Sequence, residues 1–252
     1  MSPILHQNID QQEIVTSNID VLILCGGFGT RLKGIIDDRP KPMADINSKP
    51  FLDILVEYVA GFGFKRFIFC IGYKGDFIRQ YYREKNTNLQ FMFQEEKEPL
   101  GTAGAVKNAE PIIQSDRFLV MNGDSMCEID MKDLITFHIR KKGIASIVQT
   151  SIENPDDYGV IQLDRNQRVV SFSEKNCAGK KGFVNAGIYV FEKDILRGIP
   201  PEEKCSLEYQ VFPGIIDRGV FGYRTDKRLI DIGTPQRLEM ARKCISVLRE
   251  KD

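Results

Sequence analysis

The chain carries little material for proton-shuttling or covalent catalysis. Among its 252 residues there are two histidines, His6 and His138. One lies in a polar N-terminal stretch and the other on a charged, helix-like segment. Neither presents itself as a catalytic base, and no Ser/His/Asp or Cys/His arrangement emerges. The six cysteines, at positions 25, 70, 127, 177, 205 and 244, form no CxxC pair and no zinc spacing. Cys25, Cys70 and Cys244 sit in apolar runs, as reduced core cysteines do. Neither sign of charge is in excess, since 35 Lys and Arg face 35 Asp and Glu. That argues against a dedicated nucleic-acid or anionic-membrane binder and leaves room for a local basic pocket. No apolar run approaches a membrane span, and the first twenty residues hold no apolar signal core. There is no internal repeat, no low-complexity tract and no linker that separates two domains. The expectation is a reduced, soluble, cytoplasmic protein. It is read as a single domain over residues 19–252, behind an extension, residues 1–18, that frays or lies on the surface.

What is present centres on Val21-Leu22-Ile23-Leu24-Cys25-Gly26-Gly27-Phe28-Gly29-Thr30-Arg31-Leu32. A short apolar run, suited to a strand buried on both faces, breaks into three glycines within four residues. Glycines there allow a tight turn and bring backbone N–H groups against an anion, while Thr30 and Arg31 add a hydroxyl and a guanidinium fork. A strand, this turn and a helix after it make a phosphate cradle. The loop is not a Walker A motif, because no Gly-Lys-Ser/Thr follows. Nor is it a dinucleotide fingerprint, because Leu32 stands where a third glycine belongs. Ten residues after Arg31, Arg39-Pro40-Lys41-Pro42 brackets one lysine between two prolines that restrict its backbone. That setting points Lys41 to the same phosphates.

The rest of the first half alternates strand and helix signals. Pro50 opens a helix, 66–71 is a strand, 76–84 a helix, 89–93 a strand, and Gly101-Thr102-Ala103-Gly104-Ala105 starts another helix before the strand 118–121. This order implies right-handed crossovers and a mostly parallel sheet. Beyond about residue 142 short strands dominate: 144–150, 158–163, 169–173 and 183–191, with 158–163 and 169–173 forming a hairpin through Asp164-Arg165-Asn166-Gln167. A helix is read over 206–217, a closing strand over 228–232, and a final amphipathic helix from Pro235. The second half adds antiparallel elements to the same sheet or beside it.

Two acids stand where strands end. Asn122-Gly123-Asp124 follows the strand 118–121, and Asp231 ends Leu229-Ile230-Asp231 before Gly233-Thr234-Pro235. Taken alone, Asn122-Gly123-Asp124 reads as an Asx turn. With Asp231 on the same sheet edge, the two carboxylates can share one Mg²⁺ with nucleotide phosphates. Glu174-Lys175, Asn185 and Tyr158-Gly159 read either as contacts to a second, phosphorylated substrate or as a surface ion pair and strand packing.

Taken in order, the motifs around residues 24–32, Pro40-Lys41-Pro42-Met43, Glu98-Pro99-Leu100-Gly101-Thr102-Ala103-Gly104, Asn122-Gly123-Asp124, Asn185-Ala186-Gly187 and Asp231-Ile232-Gly233-Thr234-Pro235 resemble the sugar-1-phosphate nucleotidylyltransferase family over about residues 20–241. Within it, Lys41-Pro42-Met43-Ala44-Asp45-Ile46-Asn47 is most similar to the D-glycero-D-manno-heptose 1-phosphate guanylyltransferases, with mannose-1-phosphate guanylyltransferases close behind. The chain departs from the pattern in its N-terminal extension and at Ser125, where relatives often carry threonine. The resemblance implies an α/β fold: a Rossmann-like, mostly parallel mixed sheet flanked by helices, with a smaller antiparallel sugar-binding region. It implies nucleotide contacts at Gly26, Gly27, Gly29, Thr30, Gly101 and Thr102, and catalytic roles for Arg31, Lys41 and Asp124. It places Mg²⁺ on Asp124 and Asp231, and the sugar phosphate against Tyr158, Gly159, Glu174, Lys175, Asn185 and, by a weaker match, Glu208. The implied partners are a nucleoside triphosphate and a sugar 1-phosphate, with no nucleic acid and no membrane. Rival readings are a uridylyl-, thymidylyl- or cytidylyltransferase for another sugar or aminoalkyl phosphate, and a regulatory homologue without turnover.

Family comparison also places a base-reading side chain at Glu95 or Glu96. A carboxylate only accepts hydrogen bonds, and guanine offers it two adjacent donors, N1–H and the N2 amino group. Uracil and thymine offer one donor between two carbonyls. The expectation is therefore GTP, with backbone reading of the base by a solvated loop as the alternative.

Overall fold

The structure, a computed structural model, describes residues 14–153, 158–174 and 182–249. The elements run β1 (Asp20–Leu24), β2 (Asp45–Ile46), β3 (Lys49–Pro50), α1 (Phe51–Ala60), β4 (Arg66–Ile71), α2 (Gly75–Arg83), β5 (Gln90–Glu95) and α3 (Gly101–Asn108). They continue with β6 (Arg117–Asn122), β7 (Ser125–Cys127), α4 (Met131–Lys141), β8 (Ala145–Ile152), β9 (Gly159–Leu163), β10 (Val169–Glu174) and β11 (Gly182–Glu192). The chain closes with α5 (Phe212–Ile215), β12 (Val220–Thr225), β13 (Leu229–Asp231) and α6 (Pro235–Arg249).

Nine strands form one sheet. Its centre, β6-β1-β4-β5, is parallel throughout. On the far side of β6 the long strand β11 runs antiparallel and pairs also with β8 and β9, so the second half continues the same sheet. β9 and β10 form the expected hairpin. The strand β12, parallel to β8, has no counterpart in the sequence reading. Conversely, the strand read at 228–232 does not close the main sheet: β13 pairs with β7 in a separate two-stranded ladder.

β1 shows why the sheet needs helices on both faces. Val21, Leu22 and Ile23 are all fully buried. Val21 and Ile23 join a core with residues of α1, α2, α4 and α6, while Leu22 joins the opposite core with residues of α3 and α5. Side chains alternate across a strand, so an apolar run without polar gaps must be covered twice. No helix among the described residues is long and apolar enough to cross a membrane.

One further expectation is corrected and two are made more specific. The helix read at 206–217 is broken into one wide turn at Leu207–Val211, the single turn α5 and a last short turn at Ile216–Arg218. Leu207, Val211, Phe212 and Ile215 keep helical spacing, but Pro213 has no N–H to continue the ladder and Gly214 follows it. His138 lies on a helix, α4, as read, and its side chain is buried. It is 1% exposed, with Nδ1 2.9 Å from Ser146 Oγ and Nε2 3.1 Å from Glu192 Oε1, and it ties α4 to the sheet. Of the two readings of the extension, residues 14–18 follow the second and lie against the body of the protein, where buried Thr16 donates its hydroxyl to Phe62 O at 2.8 Å. Residues 1–13, with His6, and Cys177 lie outside the described residues.

Asp20 anchors the start of β1. It is 1% exposed; Oδ1 accepts from Arg66 Nε at 2.6 Å, and Oδ2 from the backbone N–H groups of Gln114 at 2.6 Å and Ser115 at 3.0 Å. Burial by itself raises this carboxyl's pKa, but the Arg66 hydrogen bond and the two amides outweigh it and hold the group below its usual value. A depressed folded pKa adds stability that is present above the unfolded pKa, about 3.9, and is lost as pH falls through the folded value. Asp20→Ala leaves Arg66 without its buried partner and should cost about 3 kcal/mol. Thermal unfolding at pH 7 should show a Tm lower by about 10 °C. The gap between wild type and variant should narrow below pH 4.

Candidate active site at the carboxyl ends of the parallel strands

Because β6, β1, β4 and β5 are parallel, their carboxyl ends meet at one edge, where α/β sheets bind ligands. Backbone pairing continues past the strands and holds the connecting loops in place. Cys25 N donates to Cys70 O at 2.8 Å, Gly123 N to Leu24 O at 2.9 Å and Glu96 N to Ile71 O at 2.9 Å. The glycine loop thus lies between Asp124 on one side and Glu96 on the other.

The helix expected after that loop is a single 3₁₀ turn, Thr30–Leu32. Gly34, at φ +86°, stops it, and the first α-helix waits until Phe51. An anion here would meet loop N–H groups and side-chain cations, with no helix dipole behind them. Gly29 at φ +62° turns the loop toward Lys41, whose Cβ is 3.2 Å from where a Gly29 Cβ would stand.

Lys41 follows Pro40 in another 3₁₀ turn, and its side chain is only 11% exposed. Its Nζ donates to Asp124 Oδ2 at 2.5 Å. Asp231 arrives by a different route from the one expected. It ends β13, whose pairing with β7 sets it opposite Ser125, and Ile232 N donates to Asp124 O at 3.0 Å. The two carboxylates are brought together by this small ladder and not by a shared edge of the main sheet. A point 2.7 Å from Asp231 Oδ1, where Gly233 lacks a Cβ, is also 3.4 Å from Lys41 Nζ and 3.7 Å from Arg31 Nη2. Arg31 is exposed and has no ion-pair partner among the described residues. Cations and carboxylates therefore alternate around one small space. Asp124 and Asp231 supply hard oxygen donors, and no group of three or more His, Cys, Asp or Glu able to hold a metal occurs among the described residues. A divalent cation there would complete its shell with phosphate and water oxygens.

The two acids proposed to read the base are separated. Glu95 points out to Arg79, its Oε2 2.6 Å from Nη2. Glu96 turns into a cleft of about 270 Å³ that is also lined by Gly26, Gly27, Lys41, Gly101, Thr102, Asn122 and Asp124. Its carboxylate lies against Gly26 and Gly72, where a side chain on either glycine would collide with it. Oε2 accepts from Leu100 N at 3.1 Å. Burial pushes the Glu96 carboxyl pKa up, and the Leu100 N–H offsets only part of that. Gly101, at φ +71°, passes so close to Cys205 O that a Cβ would stand 2.6 Å from it.

On the far side of the cleft, Asn185 Nδ2 donates to Tyr189 OH at 2.7 Å, and that hydroxyl donates to Glu208 Oε1 at 3.0 Å. Glu208 Oε2 accepts from Thr102 Oγ1 at 3.0 Å and Ser206 Oγ at 2.9 Å. Thr102 and Glu208, read as belonging to different substrates, are thus directly bonded. Tyr158 donates its hydroxyl to Asp231 Oδ2 at 2.5 Å, with Gly159 beginning β9 beside it. Glu174 ends β10, but its side chain and Lys175 lie outside the described residues. Sequence reasoning missed Lys204 on the cleft wall and Arg237 at Asp231, and it named Asn122 and Ser125 without giving either a role. At Gly187, φ +72°, a Cβ would stand 2.5 Å from Asn122 Nδ2 and 2.9 Å from Ser125 Oγ. The Asn122 signal was visible in Asn122-Gly123-Asp124. Arg237 gave none, because only the docking of α6 brings it to Asp231.

Comparison with known proteins identifies the family. The chain is 36% identical over 218 residues to the D-glycero-alpha-D-manno-heptose 1-phosphate guanylyltransferase of Campylobacter jejuni, covering 86% of this chain and 96% of that protein. It is 31% identical to the mannose-1-phosphate guanylyltransferase of Mycobacterium tuberculosis, over 88% of this chain and 63% of that protein. Its fold superposes on the crystal structure of HddC from Yersinia pseudotuberculosis complexed with GMP-PN with a TM-score of 0.80 and 36% identity, covering 90% of this chain and 99% of that one. Residues 20–246 match the nucleotidyl transferase family, and the chain belongs to it.

Proposed function

We propose that the protein transfers the guanylyl group of GTP to a sugar 1-phosphate, D-glycero-D-manno-heptose 1-phosphate first and mannose 1-phosphate second, releasing pyrophosphate and a GDP-sugar. The observation that carries the reading is the half-buried Glu96 carboxylate in a cleft that Lys41 and Asp124 also line, with Asp231 and Arg31 meeting Lys41 beside it at Gly233. The names of the relatives support the base and the sugar.

A phosphate oxygen of the sugar phosphate attacks the α-phosphorus of GTP in line, and the bond to the β-phosphate bridging oxygen breaks. The attacking group is already anionic, so no side chain needs to remove a proton, which suits a chain whose one described histidine is buried elsewhere. The barrier is the approach of two anions, and it falls when fixed positive charge is already in place. Loop N–H groups from Gly26 to Gly29 and the Arg31 fork take the triphosphate oxygens, and Lys41 stands at the reacting phosphates. Mg²⁺, held by Asp124 and Asp231, would neutralise charge on the nucleotide phosphates. Asn185 is assigned to the sugar phosphate, on the wall it shares with Tyr189 and Glu208, and Lys175 is assigned there by the family resemblance alone.

The deciding measurement is pyrophosphate release in a matrix of four nucleoside triphosphates against several sugar 1-phosphates, with GTP expected as donor. Preference for UTP or dTTP would overturn the guanylyl assignment and leave the family intact. Glu96→Gln should cost far more activity with GTP than with UTP, whereas Glu95→Gln should change neither by more than about threefold. The reverse pattern would move base reading to Glu95. Asp124→Asn should lower kcat at least about 100-fold while Tm stays within a few degrees, since no cavity opens. Activity near wild type at low Mg²⁺ would remove Asp124 from the metal site.

A further inference from the structure

Asp231 is held by both of its carboxylate oxygens, and the two sets of partners differ. Oδ2 accepts from Tyr158 OH at 2.5 Å and from Arg237 Nη1 at 3.0 Å. Oδ1 accepts from Gly233 N at 2.5 Å and faces the space shared with Lys41 Nζ and Arg31 Nη2. The Arg237 guanidinium also lies over the Tyr158 ring, 4.7 Å from its centroid, so each clamp residue fixes the other. Asp231 and Arg237 are largely buried, at 12% and 25% side-chain exposure. The first turn of α6, where Arg237 N donates to Thr234 Oγ1 at 3.3 Å, sets the direction of the arginine.

We infer that Tyr158 and Arg237 are positioning residues for the metal carboxylate, aiming Asp231 Oδ1 at the phosphate site by holding Oδ2, and that Tyr158 is not a sugar contact. The inference rests on the nucleotidyl-transfer reading for the metal itself. A donor pair on one carboxylate oxygen fixes the carboxylate plane and leaves the other oxygen aimed before ligand arrives, the arrangement that outer partners give to metal ligands. The positive charge on Arg237 compensates Asp231 while Lys41 is engaged with Asp124, so the site is not left with a net excess of carboxylate charge. The single hydroxyl proton of Tyr158 is given to Asp231, so that hydroxyl has no proton left to donate to a sugar. The clamp also joins distant parts of the chain. Tyr158 leads into β9, whose first residue, Gly159, pairs with Glu174 at the end of β10, next to the proposed sugar-phosphate lysine. The end of that hairpin and the metal carboxylate thus share one side chain.

The test uses Tyr158→Phe, which keeps the ring under Arg237 and removes only the donor, with Arg237→Lys and Arg237→Met beside it. Mn²⁺ binding is titrated by the EPR signal of the free ion, with the β,γ-imido analogue of GTP present and no sugar phosphate. The KM for sugar 1-phosphate is measured separately at saturating Mg²⁺. Tyr158→Phe should weaken Mn²⁺ binding about tenfold and leave that KM within about twofold. Arg237→Met should weaken Mn²⁺ binding at least as much, and Arg237→Lys should recover part of it, because one charged donor can still reach Oδ2. A raised sugar-phosphate KM with unchanged Mn²⁺ binding in Tyr158→Phe would overturn the inference and return Tyr158 to the sugar. Equal Mn²⁺ binding in Arg237→Met and wild type would overturn it from the other side. Product formation by the unmutated protein decides the guanylyl reading independently of these variants.

Discussion

The site depends on the parallel pairing of β1 with β4 on one side and β6 on the other. With Leu24 opposite both Cys70 and Asn122, the three strands end together, and the glycine loop, Gly72 and Asp124 emerge at one level. A slip of one residue would turn every side chain of β1 to the other face and move Asp124 by a full residue along the edge. Burial resists such a slip, because both faces of β1 are packed, and Asp20 resists it at the opposite end by binding Arg66, Gln114 and Ser115.

What that register brings together is mainly charge. The chain as a whole is neutral, yet Asp124, Lys41, Asp231 and Arg237 form a series of alternating sign, with Lys41, Asp231 and Arg31 meeting at Gly233. Each carboxylate has a cationic neighbour, so the cluster is tolerable without ligand. Positioning and charge neutralisation of this kind need no proton relay, and His138, sealed between Ser146 and Glu192, is structural.

The far wall is built by side-chain bonding between segments distant in sequence. Asn185 on β11, Tyr189 beside it, Glu208 in the wide turn and Thr102 at the start of α3 form one continuous series of hydrogen bonds. Fully buried Tyr189 is the joint in that series, and burial pushes its phenol pKa up, keeping the hydroxyl a donor toward Glu208.

Local chemistry in the sequence was enough for the alternation of strands and helices, the glycine turn from Gly26 to Arg31, the setting of Lys41 between two prolines and the carboxylate after β6. Each of these follows from near neighbours: apolar period, glycine freedom, proline stiffness. The sequence could not separate Glu95 from Glu96, because adjacent residues on a strand end face opposite ways and only the packing of β5 on β4 decides which faces the cleft. It could not show that the glycine loop ends in a single turn, that Asp231 reaches Asp124 through the β7–β13 ladder, or that Tyr158 and Arg237 meet on one carboxylate oxygen. Those pairings join residues 73 or more positions apart, or depend on where α6 docks. Contacts of that range leave no periodic trace along the chain, and tertiary packing alone decides them.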